Sequence, residues 1–122
     1  MISQELHEYL EKIIQVGETG ECPEVLLGYF IKDYPNTRGA YLRHTIRAQM
    51  VPVTRLPSLI KGCHLIELKY REVTGNDFGF GSTSRTSILI KELGKHDNTE
   101  AVKLGKWIAS TGGDYYFPPT KH

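Results

Sequence analysis

The chain has 122 residues, 39% hydrophobic and 24% charged, with a formal net charge of +1 at pH 7, which fits a single domain over 1–122 and leaves little room for another. No run approaches the roughly 18 to 20 apolar residues needed to span a bilayer. Met1-Ile2-Ser3-Gln4-Glu5 also lacks the basic and apolar regions of a secretory signal, so a cytoplasmic protein with no membrane partner is expected, its Cys22 and Cys63 reduced and structural.

Leu6, Tyr9, Leu10, Ile13 and Ile14 recur at three- and four-residue spacing and predict an amphipathic helix from about Ser3 to Val16, with Ser3 as N-cap and Gly17 just past its end. Pro23 fits the first turn of a second helix through about Lys32, while Val25-Leu26-Leu27 and Tyr29-Phe30-Ile31 suit a buried strand equally well. Asn36 or Thr37 caps a short basic helix over Arg38 to Met50, after which Pro52 and Pro57 predict an extended passage to Gly62. From His64 to Val73, Ile66, Leu68 and Tyr70 alternate with Glu67, Lys69 and Arg71, the pattern of a half-buried strand. Thr74-Gly75-Asn76-Asp77 carries turn chemistry, and Thr86 to Lys91 is expected as a second strand. A last helix begins at Asp97, with Glu100 placed for a capping box, and runs to about Ala109 with Ala101, Leu104 and Ile108 inward and Trp107 in or beside the core. Gly112-Gly113 ends it, and the aromatic tail 114–122 is expected to be extended or to form an interface. The fold class expected is therefore α+β: N-terminal helices, a small antiparallel or mixed sheet, and a C-terminal helix.

The near-neutral total hides a segregation of charge. Residues 1–33 hold two basic and seven acidic side chains, whereas residues 34–66 hold five basic side chains and no acid. A block of this kind sets up a local positive potential that collects phosphates. Arg38, Arg43, Arg47, Arg55, Lys69, Arg71 and Arg85 are the expected phosphate contacts, with Ser82 and Thr83 offering backbone N–H groups from the Gly/Ser loop. Tyr41, Phe78 and Phe80 are candidates to stack on bases. The competing reading is that these arginines pair with the acidic N-terminal segment, inside one chain or across a dimer.

Glu67 and Lys69 on the expected strand resemble the second half of the motif of restriction-endonuclease-like nucleases, in which an acidic residue is followed by Glu or Asp, any residue, and Lys. The resemblance implies a catalytic pair, Glu67 and Lys69, with Glu67 also a ligand of Mg²⁺ and Lys69 positioning the nucleophile. Alternate strand residues share a face, which is why that spacing suits a strand. The upstream Asp of the family has no counterpart, since residues 34–66 contain neither Asp nor Glu.

Three functions follow as expectations. The first is a phosphate-recognising binding module acting on nucleic acid or a nucleotide. The second is a Mg²⁺-dependent nuclease using Glu67 and Lys69, the one reading that requires a cofactor. The third is a protein-interaction or self-assembling protein, a homo-oligomer whose acidic and basic segments pair between subunits.

Overall fold

In a computed structural model of the chain, residues 4–26, 51–75 and 85–112 are described, and every regular element among them is helical. Helix α1 spans Gln4–Thr19, a short 3-10 turn covers Val53–Arg55, and helices α2, α3 and α4 span Leu56–Thr74, Arg85–Gly94 and Asn98–Ser110. The expected α+β arrangement is corrected accordingly: both predicted strands are helices, and the described residues contain no sheet. None of these helices is long and apolar enough to cross a membrane.

Two structural facts explain why 64–73 is helical. The alternation of Ile66, Leu68 and Tyr70 covers one short window, whereas Leu56, Leu59, Ile60, Cys63 and Ile66 keep three- and four-residue spacing over a longer one. All five of those residues are buried, while Leu68 and Tyr70 are only half-buried. Pro57 does not extend the chain either, because it sits in the first turn of α2, where the helix needs no N–H from it. Pro52 likewise starts the 3-10 turn, its carbonyl accepting from the Arg55 N–H at 2.9 Å. In α3 the β-branched run suggested a strand, but Thr86, Leu89, Ile90, Glu92 and Leu93 are buried among its described side chains, and Thr86, Leu89, Ile90 and Leu93 keep helical spacing.

The flanking helices keep closer to expectation. α1 buries Leu10, Ile13, Ile14 and Val16 and runs through Gly17. Its stop is Gly20, which takes φ +79° and donates to the Val16 carbonyl at 2.8 Å. The Leu26 N–H bonds the Pro23 carbonyl at 3.0 Å, a turn at the place where the second helix was expected. At α4, Asp97 is the N-cap, its carboxylate accepting from the Glu100 N–H at 3.1 Å, and Ala101, Leu104 and Ile108 are buried as the periodicity requires. The remainder of the second helix, the basic helix over 38–50, the Gly/Ser loop and the tail 114–122 lie outside the described residues.

α2 is the hub, packing against α1, α3 and α4, while α3 and α4 also pack on each other. Its contact with α1 joins apolar side chains of both helices to a close approach of backbone. A Cβ added to Gly17 would stand 1.9 Å from the Ser58 carbonyl oxygen, and one added to Gly62 would stand 1.9 Å from that of Ile13. Only hydrogen fits at either position, and the two helices approach closely enough for Cα–H to meet carbonyl oxygen.

Gly62→Ala is therefore expected to destabilise the protein by about 3 kcal/mol, because a methyl group meets unyielding backbone. Gly20→Ala, where nothing lies within 4 Å of the added Cβ but φ is positive, should lose about 1 kcal/mol. Urea denaturation of both variants checks the order; equal losses would show that the crossing is looser than described.

Candidate functional site

The expected phosphate contacts within the described residues do not converge. Arg55 forms a two-pronged pair with Glu11, Nη1 to Oε2 at 2.5 Å and Nη2 to Oε1 at 3.1 Å, and the guanidinium holds the Glu11 carboxyl below its ordinary pKa. The pairing of a central arginine with the acidic N-terminal segment is thus realised at this position. Arg71 instead donates Nη1 to the Gly112 carbonyl at 2.8 Å, placing a cation at the C-terminal end of α4, where the helix dipole favours one. Lys69 stands 3.8 Å from Glu72 on the same helix. Arg85 opens α3, while Arg38, Arg43, Arg47, Ser82, Thr83, Tyr41, Phe78 and Phe80 lie outside the described residues.

Glu67 and Lys69 meet a different geometry from the one the nuclease resemblance needs. Residues two apart on an α-helix point about 200° away from each other, so the pair does not share a face of α2. Among the described residues no three His, Cys, Asp or Glu side chains are grouped to hold a metal ion. Among the described residues Glu67 is therefore not part of a group that would hold Mg²⁺.

What the fold does assemble is a groove of about 530 Å³ between the end of α1, the first half of α2 and one face of α4. Gly17 to Gly20 form one wall, Lys61 and Leu65 the second, and Glu100, Lys103, Leu104 and Trp107 the third. The spacing explains the convergence: Lys61 and Leu65 are one turn apart on α2, as are Lys103 and Trp107 on α4. Lys103 lies 3.9 Å from Glu100. Lys61 is half-buried and has no hydrogen-bond or ion-pair partner among the described residues. Lys61 belongs to the basic block noted above, but Lys103, Glu18, Glu100 and the indole of Trp107 were not recognised as site residues. A single tryptophan with a lysine one helical turn before it was the available signal.

Trp107 is fixed from behind. The His64 ring meets it edge to face, with centroids 5.2 Å apart and planes at 74°. His64 Nε2 lies 2.8 Å from Thr111 Oγ1, and that hydroxyl donates to the Trp107 carbonyl at 2.7 Å. With the hydroxyl proton committed to the carbonyl, the histidine is the donor from Nε2. Burial, supported by the charge of Arg71, pushes the His64 pKa from an ordinary 6.5 to about 4, so the ring is neutral at physiological pH. The chain matches no protein-family model, no curated protein and no solved structure.

The buried imidazole makes stability depend on acid. Between pH 6.5 and about 4 the unfolded chain takes up a proton that the folded ring refuses, so stability holds above that window and falls as pH drops through it. A loss of about 3 kcal/mol across the window is expected, and His64→Gln should remove it. Urea midpoints measured at several pH values decide the matter; a wild-type curve no steeper than that of the variant would contradict the assignment.

Proposed function

We propose that this chain is a phosphate-recognising binding module whose ligand sits in the groove between α1, α2 and α4. The observation that carries the reading is the convergence of Lys61, half-buried and unpartnered among the described residues, with Lys103 and Trp107 on a single concavity. A volume of about 530 Å³ suits a small-molecule ligand. Two ammonium groups supply charge-assisted bonds to phosphate oxygens, and the indole supplies a flat surface on which a base stacks. A nucleotide unit combines those two features. The arginines Arg55 and Arg71 are held by internal partners and serve the fold, so the lysines replace them as the contacts of choice.

Trp107 is the only tryptophan in the chain, so its emission reports the groove directly. Titration with adenosine 5′-monophosphate at low salt should quench or shift that emission saturably. Lys61→Glu and Lys103→Glu should each weaken binding at least about tenfold, with the folded state retained. Unchanged emission up to millimolar nucleotide, or affinities indifferent to both charge reversals, would refute the proposal.

A further inference from the structure

The two lysines of the groove are not equivalent. Lys61 has no hydrogen-bond or ion-pair partner among the described residues, whereas the Lys103 ammonium lies 3.9 Å from a carboxylate oxygen of Glu100, which lines the same groove. A spacing of three residues on α4 makes the two side chains neighbours on one face, with the acid nearer the helix start, where the dipole favours it. Glu100 is the better held of the two. Its N–H donates to the Asp97 carboxylate at 3.1 Å in the first turn of α4, and its side chain is 34% exposed against 72% for Lys103. A pair at 3.9 Å in contact with water is weak, and between a held acid and an exposed lysine it is the lysine that turns. Glu18, the other carboxylate lining the groove, forms no ion pair with either lysine among the described residues, and its charge acts on Arg55.

We propose that Glu100 is a built-in competitor of the ligand and sets its affinity: the carboxylate engages Lys103 until a phosphate draws that ammonium away. This inference rests on the groove being the phosphate site proposed above. A terminal phosphate wins the exchange because it carries more negative charge than a carboxylate and offers three strong acceptor oxygens. The bond formed at Lys103 nevertheless replaces an existing contact, while the bond formed at Lys61 replaces none. Removing the charge of Glu100 therefore frees Lys103 in advance, and the gain exists only while Lys103 is there to be freed. A carboxylate that merely repelled the ligand through space would act in the same way whether or not the lysine were present.

The test titrates adenosine 5′-monophosphate into wild type, Glu100→Gln, Lys103→Met and the double variant, read by Trp107 emission and by calorimetry. The bond from Glu100 to Asp97 uses the main chain, and glutamine also suits the third position of a helix, so the cap of α4 survives the substitution; thermal unfolding of each variant verifies the fold. Glu100→Gln should bind the nucleotide about threefold more tightly than wild type, and the same substitution should leave the affinity of Lys103→Met unchanged. No gain in Glu100→Gln, or an equal gain in the Lys103→Met background, would overturn the inference while leaving a phosphate groove in place. Binding by neither wild type nor Glu100→Gln up to millimolar nucleotide would remove the phosphate groove, and the competitor with it.

Discussion

The contact on which the described structure depends is the backbone crossing of α1 and α2 at Gly17 and Gly62. At most helix interfaces side chains set the separation, and a change of one methylene is absorbed by small shifts of rotamer. Here carbonyl oxygens of Ile13 and Ser58 occupy the space where a Cβ would stand, so neither position admits a side chain unless the helices shift apart. That contact brings the end of α1 against Lys61 and Leu65, and it gives the groove a wall made of backbone. Because α2 also packs on α3 and α4, its placement against α1 fixes one wall of the groove relative to the other two.

Around that crossing, charge and polarity are spent on joining elements. Glu11 and Arg55 tie α1 to the turn that enters α2, and Arg71 reaches from α2 to the carbonyl beyond α4. His64 and Thr111 continue the second tie to the main chain of Trp107. A neutral imidazole suits this place, since a charged ring would sit in a buried position near the guanidinium of Arg71. The consequence for the groove is that its aromatic wall belongs to a rigid assembly of α2 and α4, while the lysines on the same two helices project from fixed bases. Specific recognition benefits from such support, because side chains on packed helices lose little freedom when a ligand arrives.

How far the chain could be read in advance differs by element. α1 and α4 were legible because their apolar spacing and terminating signals agree with one another: Asp97 caps α4 as expected, although its own N–H goes to the Leu93 carbonyl instead of closing a capping box with the Glu100 side chain, and the terminal glycine of α1 moved from Gly17 to Gly20. Gly17 was misread because its purpose is a close approach, and a sequence contains no sign of the partner backbone. The same reason hid Gly62, which looked like the end of an extended passage. α2 was misread through Pro57, whose effect depends on whether it falls in the first turn of a helix or inside one, and through a six-residue alternation that a longer window contradicts. Leu56 to Ile66 already held the helical period. For the site, the basic block drew attention to arginines that the fold uses internally, whereas Lys61 and Lys103 gain their meaning only when α2 and α4 are brought side by side.

The hub arrangement also implies an order of assembly. α3 and α4 are neighbours in sequence, joined by Lys95 to Asp97, and α2 precedes them closely, so these contacts close short loops. The contact of Gly17 with Ser58 and Gly62 instead spans a longer separation in sequence and is less local. The wall of the groove that Gly17 to Gly20 form arrives with α1 and departs with it. A ligand that touches α1 as well as α2 and α4 would favour the fully docked chain.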